Sequence, residues 1–349
     1  MSTLSISPNQ TTPLVNLTSQ RPPLRWEAHA CLPLHPNADF APLDQLRDAG
    51  VNYVSINIGM DMNPVSQIMS VIAGFRATIA ANPERFILVS SVADIAQAAL
   101  QGVLAIGFDL EGAMPLLEQL DRVALYRDLG VRQIHFAYNR NNPVADGCHD
   151  IERGLTPLGR RMVAAVNDAG VLMDCSHTGR RCSLDIMAAS GHPVIFSHAN
   201  PLALVEHGRN ITDQQIKACA ATGGVVCISG VSVFLGSRTP DVADVARHAA
   251  YVAGLVGAQH VGIGLDISFR QEALNDNPPG DYDPDYWWPP SIGYRRALEQ
   301  ITFTPADTWL ALAGALQKAG MNAEETAGVM GNNMLRVAGQ VWHAPAPAL

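Results

Sequence analysis

The sequence predicts a closed (β/α)8 barrel of the TIM type, and three observations carry that prediction. Eight β-rich runs alternate with helical patterns from one end of the chain to the other. They are "LRWEAHA", "NYVSINI", "VLAIGFDLE", "VRQIHFA", "GVLMDCS", "PVIFSH", "GGVVCIS" and "HVGIGLD", with "RFILVS" as an extra run. Regular β–α alternation implies a parallel sheet, and eight units suit closure into a barrel. No GxGxxG follows an early strand, which disfavours the alternative of an open doubly wound sheet with a nucleotide at its first turn.

Taken in order, the first run opens after a Pro-rich leader, residues 1–24, which is expected to be extended. One barrel domain is expected over residues 25–340, with a short tail at 341–349. After the "VRQIHFA" run, a helix is punctuated at both ends. Thr156 is its N-cap, Pro157 its first helical residue, Leu158, Met162 and Val166 its apolar row, and Gly170 its stop. "TDQQIKACAATGG" opens on a Thr212–Gln215 capping box, and Asn322 with Glu325 repeats the device before "TAGVMGNNMLRVAG". The segment "NDNPPGDYDPDYWWPPSIGY" is long, irregular and aromatic, and is expected to shape a ligand pocket at the barrel mouth.

Composition narrows the function classes. The chain of 349 residues is 48% hydrophobic and 16% charged, ample material for a large core. A net charge of −9 argues against a nucleic-acid partner, which needs clustered Lys and Arg. No apolar run approaches the ~18 residues of a membrane helix. The leader lacks a basic start and an apolar stretch, and the tail is too short for a lipid anchor, so no secretion or membrane attachment is expected. Cysteines at 31, 148, 175, 182, 219 and 227 form no CxxC pair, which fits reduced, mostly buried thiols in a cytoplasmic protein.

Chemistry in a barrel gathers at the C-terminal ends of the strands. Those ends carry His29 and Cys31 in "EAHAC", Glu111 in "GFDLEG", His177 in "MDCSH", His198 in "VIFSH" and Asp266 in "GIGLD". On a strand, residues i and i+2 share a face, so His29 and Cys31 can reach one ion. A single strand-end His is more often a hydrogen-bonded structural residue, and a lone Cys a small core residue. Three His, a Glu and an Asp on one rim are hard to explain by packing, and with a thiolate they form a donor set that suits zinc. His135 lies inside a strand and is expected to face the surrounding helices or the barrel wall.

From about residue 26 to 338 the chain resembles the membrane (renal) dipeptidase family of zinc hydrolases, a branch of the amidohydrolase barrels. The strongest block is "LYRDLGVRQIHFAYNRNNPVADG…GLTPLGRRMVAAVNDAGVLMDCSHTG…HPVIFSHANP…GRNITDQQI", followed by "VGIGLD" and "NNMLRV". The resemblance implies a binuclear zinc site in which Glu111 bridges the ions. It gives His177 and His198 to one ion, and His29 with residue 31 to the other. Asp266 would be the general base or proton shuttle for a metal-activated water, and Arg209, in "GRN", would bind the substrate's terminal carboxylate. It also implies a homodimer.

The chain departs from the family pattern at three places. The usual "DGHND" reads "EAHAC", so Cys31 replaces an Asp ligand. Tyr138 stands where relatives carry a His that contacts the tetrahedral intermediate, and "GLDISF" keeps only the first Asp of the usual "SDFDG". A thiolate beside zinc is chemically reasonable, but its reach is shorter than a carboxylate's, so one or two zinc ions per chain are both open. The leading expectation is a zinc-dependent, dipeptidase-like hydrolase acting on a peptide or amide bond in a small carboxylate-bearing substrate. Two alternatives stand beside it. One is a mononuclear amidohydrolase acting on an N-acyl amino acid, lactam or specialised metabolite, and the other is a metal- or ligand-binding barrel without catalysis.

Overall fold

The computed structural model describes residues 24–117, 119–279, 283–292, 294 and 301–342. Nearly all of the expected leader and tail therefore lie outside the described residues. The strands are β1 (Trp26–Cys31), β2 (Tyr53–Met60), β3 (Phe86–Leu88), β4 (Leu104–Glu111), β5 (Val131–His135), β6 (Leu172–Asp174), β7 (Val194–Phe196), β8 (Val225–Ile228), β9 (Val261–Ile263) and β10 (Ile267–Ser268). They pair in parallel in the order β10–β1–β2–β4–β5–β6–β7–β8–β9, and β3 pairs with β4 off this path. The predicted TIM-like barrel is thus observed, with "RFILVS" as the extra strand.

The eighth stave is broken, which its sequence did not reveal. β9 pairs with β8, β10 pairs with β1, and Gly264, Leu265 and Asp266 separate them, so the ring returns to its start. The Leu265 amide donates to Glu27 Oε1 (2.7 Å), and the Asp266 amide to the His29 carbonyl (3.2 Å). Gly264 is required here, because a Cβ would overlap the Ser197 carbonyl oxygen.

Helices form where the punctuation placed them. Thr156 caps Pro157–Ala169 by accepting from the Gly159 amide, and Gly170 ends it in the left-handed region (φ 66°). Capping boxes at Thr212–Gln215 and Asn322–Glu325 open Asp213–Ala221 and Ala323–Ala327. Strand side chains alternate. Val54, Ile56, Phe108 and Ile134 join the large core shared with the helices, where Phe75 of Val65–Ala81 meets Phe108 edge-on. Trp26 and Tyr53, at the starts of their strands, stack with Trp342 and close the barrel floor. Above that floor the interior turns polar: Ser55, Asn57, Asp109, Glu111, Gln133, His135 and Asp174 are all buried.

Candidate metal centre and catalytic pocket

Glu111 ends β4 at the middle of the barrel mouth. Asn57, on neighbouring β2, donates to Glu111 Oε2 (2.5 Å) and leaves Oε1 facing the imidazoles. Glu111 Oε1 lies 3.1 Å from His177 Nε2, 3.6 Å from His198 Nε2 and 3.5 Å from His29 Nε2. The two imidazoles beyond β6 and β7 bring their Nε2 atoms within 2.9 Å of each other. Their outer nitrogens are occupied: His177 Nδ1 pairs with Asn139 Oδ1 (2.7 Å) and His198 Nδ1 with Ser197 Oγ (2.8 Å). That arrangement fixes the ring orientation and turns both Nε2 atoms inward.

His29 and Cys31 share the inner face of β1, as the i, i+2 spacing predicted. His29 lies within the strand rather than at its end, and Cys31 is the terminal residue. Cys31 Sγ is 3.5 Å from His29 Nε2, and Asp266 Oδ1 is 3.7 Å from the same nitrogen. His29, Cys31 and Asp266 form a second group of donor atoms within metal-binding reach of one another. On the far side of the ring, His29 Nδ1 stands 3.3 Å from Asp109 Oδ1, whose other oxygen accepts from Ser55 (2.6 Å).

Backbone strain gathers at the same place. Among the described residues, the non-glycine residues with positive φ are Asn139 (58°), His177 (64°) and Asp266 (60°), and all three border the cage. Such conformations persist only where surrounding contacts over-determine them.

Burial governs the ionisation of the site. It pushes the Glu111 carboxyl up to about 7, Asp266 to about 6 and the Cys31 thiol to about 12. Burial also holds His177 and His198 well below the ordinary imidazole value, helped by Arg209 beside the first and His29 beside the second. At His29 burial pulls in the same direction, but Asp109 and Glu111 outweigh it and hold the ring well above that value.

The donor set fits a metal ion. Two inward-facing imidazole nitrogens and a carboxylate oxygen stand 2.9, 3.1 and 3.6 Å apart. A tetrahedral zinc with bonds of ~2.0–2.1 Å needs edges of roughly 3.3 Å between its donors. Without a cation, two buried nitrogens at this distance could share only a single proton.

A cavity of about 410 Å³ opens over these groups, lined at its base by Cys31, Glu111, Tyr138, His177, Arg209 and Asp266. Tyr138 stacks on the His177 ring (centroids 4.3 Å apart), and burial holds its phenol well above the ordinary value. Arg209 is 3% exposed; one guanidinium nitrogen donates to the His198 carbonyl (3.2 Å), while Nε has no hydrogen-bond partner among the described residues. The walls are largely apolar, with Leu32, Met60, Phe269 and Phe303 among them. Trp288 and Tyr294, from the long aromatic segment, also line the cavity, as expected for the parts of that segment that are described.

One expectation is overturned. His135 faces neither the helices nor the wall; it is fully buried inside the barrel, with Nε2 2.8 Å from Asp174 Oδ2 and Nδ1 3.9 Å from Glu111 Oε1. It shares the inner face of β5 with Gln133, which donates across the barrel to the Ala28 carbonyl. Asp61 was also not anticipated. It is buried and accepts from the Tyr138 and Met114 amides and from Asn142, tying the Tyr138 loop to β2.

Residues 36–276 match the model of the membrane dipeptidase family, peptidase family M19. That span holds Glu111, Tyr138, His177, His198, Arg209 and Asp266, while His29 and Cys31 precede it. The chain is 29% identical over 244 residues to the uncharacterized dipeptidase C965.12 of Schizosaccharomyces pombe, covering 68% of this chain and 53% of that protein. It is 28% identical over 269 residues to dipeptidase aclJ of Aspergillus oryzae, covering 75% and 58%. This chain therefore spans little more than half the length of these curated relatives. Among solved structures, an amidohydrolase from Pseudomonas aeruginosa superposes with a TM-score of 0.80 at 27% identity, covering 92% of this chain and 97% of that one. A metallo peptidase from Rhodobacter sphaeroides, bound to a phosphinate mimic of the dipeptide L-Ala-D-Ala, superposes with a TM-score of 0.73 at 19% identity, covering 91% and 99%, and shows the shared fold. With the family match spanning more than half of its residues, the chain belongs to the membrane dipeptidase family, peptidase family M19.

Proposed function

We propose that this chain is a zinc-dependent hydrolase that cleaves a peptide or amide bond in a small, carboxylate-bearing substrate. The observation that carries the reading is Glu111 Oε1, set within 3.6 Å of three imidazole nitrogens at the base of an open cavity. Family membership and the dipeptidase relatives support the same reaction class.

Glu111, His177 and His198 would hold one ion, and His29, Cys31 and Asp266 border a second position. Zinc bound there supplies Lewis acidity and lowers the pKa of water towards neutrality. The protein's own groups do the rest. Asp266, raised by burial to about 6, is placed to take a proton from the attacking water and return it to the leaving amine. Arg209 offers the substrate carboxylate a buried Nε–H that has no partner among the described residues, and its planar fork suits that anion. Tyr138 and the apolar walls orient the substrate and exclude bulk water.

Cys31 favours a second form of the reading, a mononuclear amidohydrolase. Its Sγ has a shorter reach than the carboxylate that the family resemblance implies at this place, and the longer Zn–S bond of ~2.3 Å recovers only part of it. We also assign the chain to the cytoplasm as a homodimer, the location on its six free cysteines and the pairing on the family resemblance. Among the described residues, no helix is long and apolar enough to cross a membrane. Metal analysis after zinc reconstitution, combined with a panel of dipeptides and N-acyl amino acids, tests the reading. Stoichiometric metal with turnover of either class supports it, and absence of both refutes it.

A further inference from the structure

Beneath the cage sits a buried imidazole that none of the roles above uses. His135 is the last residue of β5 and is fully buried. Its Nε2 lies 2.8 Å from Asp174 Oδ2, and the other oxygen of Asp174 accepts from the backbone amides of Ser176 (2.8 Å) and Ser197 (3.1 Å). Asp174 is thereby held as an acceptor at the root of the loops that carry His177 and His198. A carboxylate against Nε2 selects the tautomer with its proton on Nε2, which leaves the lone pair on Nδ1.

That lone pair points at the cage. Among the described residues neither ring nitrogen of His135 makes a well-aligned hydrogen bond; Nε2 meets Asp174 Oδ2 as an ion pair, and the charged atom facing Nδ1 is Glu111 Oε1, at 3.9 Å. Donor atoms of Glu111, His135 and His177 all lie within 4.8 Å of one another, as do those of Glu111, His198 and His29. A buried nitrogen with no partner is costly, and a cation shared with Glu111 would satisfy it.

We propose that His135 is a metal ligand of this chain, its Nδ1 adding a third imidazole to the ion held by Glu111, His177 and His198. The arrangement Asp174–His135–metal is a carboxylate–histidine–metal relay, the outer support that zinc-ligating imidazoles commonly have. A small turn of the His135 ring about its Asp174 contact closes the 3.9 Å separation towards the roughly 3.3 Å edge of a tetrahedral site. The inner ion would then be bound by three imidazoles and a carboxylate on its own, whatever Cys31 contributes to the neighbouring position.

The inference rests on the metal reading above, and the test separates the two. His135→Gln keeps an N–H able to reach Asp174 and deletes the donor at Nδ1. Apo-protein and variant are each loaded with one equivalent of Co²⁺, the visible spectrum is recorded, and affinity is read by competition with a chelator. The expected result is a changed Co²⁺ spectrum and affinity lowered about 10-fold or more in the variant. A variant with wild-type spectrum and affinity overturns the inference and leaves the proposed function standing. A wild-type chain that binds no metal overturns both. If His135→Gln does not fold, zinc-edge X-ray absorption on His29→Gln with one equivalent of zinc decides, since His29 Nε2 also stands 3.5 Å from Glu111 Oε1: three imidazoles support the inference, and two overturn it.

Discussion

His177 Nε2 and His198 Nε2 face each other at 2.9 Å, each turned inward by a hydrogen bond on its other ring nitrogen. On the proposed reading the pair would hold a cation, and the stability of the fold should depend on one. At a metal concentration of ~100 times its dissociation constant, binding stabilises the folded state by roughly 2.7 kcal/mol. Chelation at pH 7 should therefore lower Tm by about 4 °C. Calorimetry with and without metal measures this, and an unchanged Tm would contradict it.

The same pair sets a pH dependence. Burial holds both imidazoles well below the ordinary value of 6.5, so between that value and their folded values the unfolded chain binds protons that the folded chain does not. Their stabilising contribution is complete above about pH 6.5 and is lost as pH falls below it. Glu111 and Asp266, raised by burial to about 7 and about 6, oppose this trend as they take up protons over the same range. The pair's share is therefore read as the difference between wild type and His198→Gln in denaturant unfolding of metal-free protein between pH 7 and 5. The variant should lose less stability than the wild type as pH falls.

Asp266 should govern the acid limb of activity. Its carboxyl must be ionised to accept a proton; burial raises it to about 6 without metal and a bound cation would lower it, so kcat/KM should rise along an acid limb at or below about pH 6 and then level. Asp266→Asn should lower kcat by roughly 10²–10⁴-fold and leave metal content near wild type. An unaltered pH profile in that variant would remove Asp266 from proton transfer.

Arg209 should read the substrate's carboxylate. A hydrogen bond to a charged group is worth ~1.5–3 kcal/mol, so Arg209→Ala should raise KM about 10–100-fold with metal content unchanged. Substrates amidated at that carboxylate should be poor for the wild type. Equal turnover of amide and free acid would show that Arg209 has another task.

Cys31 decides how the outer position works. Cys31→Asp supplies the oxygen donor of longer reach that the family resemblance implies at this position, and should raise zinc occupancy towards two per chain without strengthening hydrolysis of simple dipeptides, because the pocket is lined by Tyr138 where the resemblance implies a His. Cys31→Ser should reduce metal content towards one. Titration with zinc, read by elemental analysis, checks both. Two tightly bound zinc ions in Cys31→Ser would make Cys31 a packing residue.

Much of this geometry was legible in the sequence. Period-2 spacing put His29 and Cys31 on one face, apolar runs ending in Glu111, His177, His198 and Asp266 marked the rim, and Thr156, Thr212 and Asn322 marked helix starts. What was missed lies one step deeper. Asp109 and Glu111 are i and i+2 on β4, Gln133 and His135 on β5, and Ser55 and Asn57 on β2, so the polar layer under the cage follows the same alternation. His135 was misread because "VRQIHFA" gives no sign of which set of side chains faces inward, and only the neighbouring strands' register fixes that. The break of the eighth stave was hidden because Glu27 and the His29 carbonyl, residues more than 200 positions away, hold it.

The most direct measurement is zinc stoichiometry by elemental analysis of the reconstituted wild type, taken beside hydrolysis of a carboxylate-bearing dipeptide and an N-acyl amino acid. The expected result is at least one zinc per chain that is retained on gel filtration, with turnover of at least one substrate lost on chelation and restored by zinc. A chain that folds as described yet retains no zinc, and hydrolyses neither substrate with zinc in excess, would contradict the proposed chemistry.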